Sequence, residues 1–377
     1  VSAERTPVCR TGVTVDGSAD STPIAWYSAP AESDRQLNDN WCASVGPPVI
    51  AGAPSPSDQQ AARYPALDSV IVASWNVHVG GGDLDEFIDR LRGGQLTGGT
   101  PAHHFIVLLQ EVYRADDARV PVSYPANVRT PRTIRESPPG GSRESVVELA
   151  RRRGLFLFYV PSMRNGRPDE ASGQEDRGNA ILSTLPLRDL AAVELPFESE
   201  RRVMISARVA IDDGSNEPAI MRVVCVHLDV ASSGTRVARS MGDGRESQMR
   251  YALTALDSLL AHDSTRGAQS TRAVVLGGDF NTWFGGPDEG AARLASHYFA
   301  QPVSSRAEVT VDGWRGMFAR KLDYLFFRLP TGYEARQHKW PNRFGSDHYP
   351  LVGGVGKAAS VAAAEGAESG KRKAESR

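Results

Sequence analysis

Lysine is nearly missing from this chain. Of 43 Lys and Arg residues, the only lysines are Lys321, Lys339, Lys357, Lys371 and Lys373. Arginine suits bidentate contacts with phosphate, although a GC-rich genome gives the same bias. Excess charge of one sign is missing too: the net charge is −2 over 377 residues. That argues against a passive nucleic-acid coat, which relies on a basic field, but not against an enzyme that holds one phosphate through a metal. No run approaches the ~18 apolar residues of a membrane span. The H-E-x-x-H, C-x-x-C and G-x-S-x-G patterns are absent, which disfavours a zinc protease, a zinc module and a serine hydrolase. So is G-x-x-x-x-G-K-[ST], which disfavours an ATP-driven enzyme.

Cysteine is scarce as well, with only Cys9, Cys42 and Cys225. Cys225 lies in an apolar run and reads as a buried free thiol. Cys9 and Cys42 flank a Gly/Ser/Pro-rich segment that a disulfide would restrain. Such a bridge would imply export, to periplasm or outside, because cytosolic disulfides rarely persist. The chain begins at Val1 with no apolar leader, so a removed signal peptide or a trimmed start is expected.

What is present is an alternation of strand and helix signals between two poorly patterned ends. Residues 1–68 read as an N-terminal extension, packed through Trp26, Tyr27 and Trp41. Residues 357–377 are Ala/Glu/Lys/Ser-rich and are expected to stay disordered. In between, Ser69–Asn76 and Phe105–Glu111 read as buried strands. Val203–Ile211 alternates, as a strand with one wetter face would. Leu84–Arg92 puts Phe87, Ile88 and Leu91 on one helical face and ends at Gly93-Gly94. Glu246–His262 is a second amphipathic helix. Strands outnumber helices, and many adjoin without a crossover helix. That predicts an α+β fold with mixed, mostly antiparallel sheets rather than a doubly wound parallel sheet.

Five short polar signatures sit at the ends of these apolar runs: SWNV at 74–77, LLQEV at 108–112, VCVHLD at 224–229, GGDFNTW at 277–283 and SDHYPL at 346–351. KLDYLFF at 321–327 lies between the last two. Together they place Asn76, Glu111, His227, Asp279, Asn281, Asp323, Asp347 and His348 at strand ends. These are oxygen ligands for a hard divalent cation and two imidazoles for proton transfer. Asp279 and Asn281 are two residues apart, so an extended backbone would put them on one face. Taken singly, each residue has a plainer reading. Glu111 is then a strand-end acid paired with Arg114, Asp323 a salt-bridge partner of Lys321 or Arg320, and His227 a structural histidine.

In this order the motifs resemble the endonuclease/exonuclease/phosphatase superfamily, whose type member is deoxyribonuclease I. The resemblance runs from about Val70 to Gly354 and rests most on GDFN and SDHYPL. It implies two packed sheets flanked by helices, a four-layer α/β/β/α sandwich over residues 69–356, with the site at one rim. It also implies Mg²⁺ or Mn²⁺, with Glu111 as principal ligand and Asn76 and Asp347 beside it. His348 would be the activating base, held by Asp323. His227, oriented by Asp229, would donate to the scissile phosphate or its leaving oxygen. Asp279 and Asn281 would position water or a second cation. Asn179 in RGNAILS and Arg202 at the start of RVMISARV would face the phosphate.

The substrate this implies is a phosphodiester, DNA or RNA foremost. The loop arginines Arg114, Arg119, Arg129, Arg132, Arg135, Arg236, Arg239 and Arg245 are placed to straddle a polyanion. A lipid or inositol/sugar phosphate is the alternative, for which Trp283, Phe284 and Trp340 are the aromatics to inspect. An inactive binding scaffold is the reading of another class. No obligate protein partner is evident.

Overall fold

The computed structural model describes residues 8–14, 24–52, 64–115, 118–121, 143–165, 174–215, 218–230, 243–265, 271–282, 289–301, 308–312 and 319–358. Strands and helices are numbered in chain order. The first sheet contains β1 (Val13–Thr14), β3 (Val49–Ala51), β4 (Val70–Asn76), β5 (His104–Arg114), β6 (Phe156–Arg164), β7 (Asp176–Ser183), β13 (Tyr333–Lys339) and β14 (Leu351–Lys357). Its spatial order is β1-β3-β6-β7-β5-β4-β14-β13. The second contains β2 (Ala25–Tyr27), β8 (Arg188–Glu194), β9 (Val203–Ile211), β10 (Ala219–His227), β11 (Thr271–Asp279) and β12 (Asp323–Arg328), ordered β12-β11-β10-β9-β8-β2. Each sheet mixes parallel and antiparallel pairs: β4 with β5 and β10 with β11 are parallel, while β5 with β7 and β9 with β10 are antiparallel.

Three apolar layers follow from the period of two along the strands. Val70, Val72, Ile106 and Leu108 from the first sheet meet Ile205, Met221, Val223 and Val275 from the second in a core between the sheets. The alternate residues face outward. Trp75, Phe105 and Leu109 pack under α2 (Leu84–Arg92) and α3 (Val146–Arg153). Val224, Leu276 and Phe326 pack under α4 (Asp243–Thr265) and α5 (Gly290–Phe299). The result is the four-layer α/β/β/α sandwich. Asp83 starts α2 by accepting the Glu86 N–H at 2.9 Å. No helix among the described residues is long and apolar enough to cross a membrane.

Two sequence readings need correction. Val203–Ile211 has no wet face, because Ile205 joins the core between the sheets and Met204 the core under the helices. The residues before 69 are woven into both sheets: β3 pairs with β6 and β2 with β8, while α1 (Glu32–Cys42) packs against the body through Trp41. The Cys9–Cys42 disulfide is formed, and Cys225 is the free buried thiol that its apolar run predicts. Residues 359–377 lie outside the described residues.

A buried ion pair ties the early segment to the first sheet. Asp176 takes Arg114 Nε at 2.9 Å, Tyr159 Oη at 2.8 Å and the Gly46 N–H at 2.8 Å. Removing one charge leaves the other buried and uncompensated, at a cost of about 3–5 kcal/mol. Asp176→Ala is therefore expected to lower the urea midpoint by that equivalent. Chemical denaturation measures it, and an unchanged midpoint refutes it.

Candidate active site

The period that builds the core also delivers the site. Along β4 the inward positions read Val70, Val72, Ser74, Asn76. Along β10 they read Met221, Val223, Cys225, His227, and along β11 Ala273, Val275, Gly277, Asp279. Each series starts in the apolar core and ends at the same rim in a polar side chain. Register closes the group: His227 pairs with Asp279 across β10 and β11, and Asp279 pairs with Asp323 across β11 and β12.

The glycines of GGD are needed for close approach. A Cβ on Gly277 would meet Ser74 Cβ and Leu108 Cδ1 of the facing sheet, both at 2.9 Å. A Cβ on Gly278 would lie 1.8 Å from the Val226 carbonyl oxygen. That neighbour is backbone and cannot rotate away. Gly278→Ala is expected to cost at least the ~1–3 kcal/mol of ordinary overpacking, read as a lower melting temperature. A variant melting like the parent would show that β10 and β11 can part freely here.

Glu111 is the exception to the period. By simple alternation it would point under the helices with Phe105, Val107 and Leu109. A β-bulge between Leu109 and Val112 instead turns it to the rim, with φ +53 at Glu111. Bulges re-aim side chains in this way at a conformational cost. Arg114, the partner a plain reading gave it, is bound to Asp176.

The polar contacts converge on Asp279, which is 1% exposed. Its Oδ2 accepts Asn76 Nδ2 at 2.9 Å, and its Oδ1 accepts the Asn281 N–H at 2.8 Å. The same Oδ2 stands 3.6 Å from His227 Nε2 and 3.7 Å from His348 Nε2. Burial, with Asp323 adding to it, pushes the Asp279 carboxyl up to about 7. Asn281 does not share a face with Asp279 by strand alternation. β11 stops at Asp279, and Asn281 turns left-handed at φ +53, with its amide on the Leu228 carbonyl at 2.9 Å.

The two imidazoles are held in opposite states. His348 Nδ1 lies 2.8 Å from Asp323 Oδ2. Burial alone would lower its pKa, but Asp323, Asp279 and Asp347 together raise it to about 10. Thr310 Oγ1 accepts the N–H groups of both Leu322 and Asp323, fixing the acid, and Trp75 Nε1 donates to the His348 carbonyl. Lys321 pairs with Glu308 at 3.2 Å rather than carrying Asp323 in a plain ion pair. His227 goes the other way: burial, then the positive charges of Arg202, His348 and Arg177, hold it well below the usual imidazole range. Arg202 Nη1 lies 3.0 Å from His227 Nδ1. A guanidinium only donates, so Nδ1 accepts and the proton of the neutral ring sits on Nε2. That buried Nε2–H has no hydrogen-bond partner among the described residues and faces Asp279 and, at 4.0 Å, Glu111 Oε1.

The family-scale comparison agrees with this arrangement. The endonuclease/exonuclease/phosphatase family model matches residues 73–348. The chain belongs to that family. No curated protein matches it in sequence. Solved structures that it resembles include an endonuclease/exonuclease/phosphatase from Beutenbergia cavernae, at 19% identity over 77% of this chain and 72% of that one, with a TM-score of 0.48. Truncated TDP2 from Caenorhabditis elegans is 14% identical over 77% and 97% of the two chains, with a TM-score of 0.39. Sphingomyelinase C from Streptomyces griseocarneus is 15% identical over 75% and 98%, with a TM-score of 0.38. Likeness at this level bears on no substrate.

Members of this endonuclease/exonuclease/phosphatase family are metal-dependent phosphoesterases, and the donor set here fits a hard cation. Glu111, Asp279 and Asp347 present carboxylate oxygens at one rim, and burial raises the Asp279 carboxyl despite His348 beside it; Asn76 turns its Nδ2 to Asp279, while its Oδ1 accepts the His78 N–H at 2.9 Å. Asp347 is half-exposed, with Oδ1 3.6 Å from His78 Nδ1 and 3.8 Å from His348 Nε2. Asp279, Asp323 and His348 also bring ligand atoms within 4.8 Å of one another. The Asp323–His348 hydrogen bond, however, is the arrangement of a base with its orienting acid.

Other expected residues sit behind these. Asp229 does not orient His227; it accepts the N–H groups of Ser199 and Glu200 at 2.7 and 3.0 Å. The orienting group is Arg202, whose Nη2 also binds Glu200 at 2.7 Å, so its guanidinium supports His227 from within the protein. Asn179 donates to the Val203 carbonyl at 2.8 Å, linking the two sheets. Arg129, Arg132, Arg135, Arg236, Arg239, Trp283 and Phe284 lie outside the described residues. Arg114 and Arg245 are 1% and 4% exposed and give a polyanion little surface. His78 and Thr310 carried no signal in the sequence, and Ser346 only its place at the head of SDHYPL. Ser346, just before DH, fixes the loop by donating to the Asn76 carbonyl at 2.7 Å.

Proposed function

We propose that this protein is a Mg²⁺- or Mn²⁺-dependent phosphodiesterase, with a nucleic-acid backbone as its foremost substrate. The observation that carries the reading is one carboxylate oxygen, Asp279 Oδ2, flanked at 3.6 and 3.7 Å by two buried imidazoles whose proton affinities are driven apart. Asp323 occupies Nδ1 of one ring and Arg202 Nδ1 of the other, which leaves His348 Nε2 to take a proton and the His227 Nε2–H to donate a hydrogen bond.

Glu111 and Asp347 would hold the cation, with Asn76 joining them once its Oδ1 turns from the His78 N–H; when bound, the cation polarises the phosphoryl oxygen and offsets charge on the leaving oxygen. His348, its Nδ1 held by Asp323, takes the proton of the attacking water at Nε2. Asp279 and Asn281 position that water. His227 offers its unpartnered Nε2–H to an oxygen that gains charge as the ester bond breaks. Arg202 keeps that proton on Nε2 by occupying Nδ1. The Cys9–Cys42 bridge supports an exported protein.

Hydrolysis of bis-(p-nitrophenyl) phosphate and nicking of plasmid DNA test the reading, each with Mg²⁺, Mn²⁺ or EDTA and beside a Glu111→Ala/His348→Ala control. Metal-dependent nicking lost in the control supports the nuclease. Cleavage of the small diester with intact DNA moves the substrate to lipid or sugar phosphates. Inactivity on both, and on phosphomonoesters, overturns the enzyme in favour of a binding scaffold.

A further inference from the structure

The site is assembled from two sheets that meet across an apolar core, crossed by single hydrogen bonds such as Asn76 to Asp279 and Asn179 to the Val203 carbonyl. Glu111 and Asn76 come from the first sheet, and His227, Asp279 and Asp323 from the second. Apolar contact is non-directional and fixes separation better than lateral position. On the His227–Glu111 side, the described N-terminal segments, 8–14 and 24–52, supply directional contacts to both sheets.

On the first sheet, β3 pairs with β6, and the Pro47 carbonyl accepts Arg114 Nη1 at 2.9 Å. Arg114 is three residues beyond Glu111 on the same strand. On the second sheet, Arg10 Nε binds Glu194 at 3.2 Å and Asn38 Nδ2 donates to the Leu195 carbonyl at 3.2 Å. Arg201, fully buried, binds Glu194 at 2.9 Å, donates to the Pro161 carbonyl of β6 in the first sheet at 2.8 Å and reaches Cys9 Sγ at 3.7 Å. Leu195 N–H then donates to the Arg202 carbonyl at 2.9 Å, and Arg202 holds His227 Nδ1. Trp41 packs beside Met163 of β6 in one sheet and 6.1 Å from Phe197, which follows β8 in the other. The Cys9–Cys42 disulfide, closing a separation of 33 residues, locks the contact at Cys9 to the helix carrying Asn38 and Trp41.

We infer that this disulfide-closed arm is a positioning element of the active site: by clamping the Glu194–Arg202 turn to the first sheet, it holds His227 in its Nε2–H form opposite Glu111. The inference rests on the proposed diesterase reading. It predicts that the arm acts through His227 and not through the His348–Asp323 pair on the far side of Asp279.

A double-mutant cycle tests this on the full chain. C9A/C42A, checked for folding by near-ultraviolet circular dichroism, is expected to lose roughly 10- to 100-fold in kcat on bis-(p-nitrophenyl) phosphate, the scale of a small misplacement, with KM little changed. In a His227→Ala background the same change should have almost no further effect. In an Asp323→Asn background it should keep its full effect. An unchanged kcat, or equal losses in both backgrounds, overturns the inference. Should C9A/C42A fail to fold, Arg10→Ala/Asn38→Ala with the disulfide intact runs the same cycle. Histidine ¹⁵N shifts give a readout apart from turnover: opening the arm should erase the fixed Nε2–H pattern of His227 and leave that of His348. If the oxidised parent shows no metal-dependent turnover, the proposed reaction fails. In that case the ¹⁵N pattern alone decides the inference, and its persistence in C9A/C42A overturns it.

Discussion

Replacing Glu111 with Gln is expected to lower kcat/KM by on the order of 10³, about 4 kcal/mol of transition-state stabilisation. The substitution is nearly isosteric, so packing is preserved and only the charge goes. Most strand acids would not respond so strongly. A β-bulge with φ +53 holds Glu111 out of the strand's alternation, and no described Lys or Arg forms an ion pair with it; neutral His227 stands 4.0 Å away, and the Glu200 carboxyl adds repulsion. Backbone strain held in place by its surroundings marks a side chain whose direction matters. A cation would be the compensating charge, so EDTA should reproduce the loss in the parent enzyme and have little further effect on the variant. Titrating Mg²⁺ against initial rate separates the two components. A variant that recovers the parental kcat at high Mg²⁺ has lost affinity only, and one that stays slow has lost the chemistry. Parental kinetics at all Mg²⁺ concentrations would remove Glu111 from the metal centre.

Much of this architecture was written in the period-two runs. SVIVASWN, VVCVH and VVLGGD each carry a polar group at the end of an inward-facing series, and the structure takes all three series to one rim. The bulge at Glu111 was not legible. A bulge is a mismatch between two strands, and LLQEV alone does not show that β7 is one residue short opposite it. The turn at Asn281 was hidden for a related reason: strand alternation was extended past Asp279, where the Asp279 carboxylate captures the Asn281 N–H and ends the strand. The first 68 residues read as an appendage because their strands are two or three residues long. Such pieces carry no period and gain stability only by joining existing edges. The polar strand β13, YEARQHK, was missed because it packs on a sheet edge through backbone hydrogen bonds more than through apolar burial. Arg202 was expected to face the phosphate. Its role behind His227 depends on the pairing of β9 and β10, which no local pattern encodes.

His348→Ala is expected to cost ~10²–10⁴ in kcat, the usual contribution of a general base, and Asp323→Asn a smaller part of the same loss. The hydrogen bond at 2.8 Å ties the two residues into one unit. Their effects should therefore be far from additive: the double variant should be little slower than His348→Ala alone. The protonation state adds a second test. Without a cation, the acids around His348 hold its pKa at about 10, so the ring is charged at neutral pH and cannot accept a proton. Positive charge supplied among Asp279, Asp347 and Glu111 opposes the very interactions that raise it. The sign follows directly: metal uptake should lower the His348 pKa and release protons to solvent. Calorimetry in buffers of different ionisation enthalpy measures that release. It should be present in the parent near pH 8, and reduced in His348→Ala by the share that this ring contributes. Near-normal turnover in His348→Ala would assign the base elsewhere. Intact proton release in that variant, with turnover lost, would keep His348 as the base but place the titrating group on Asp279.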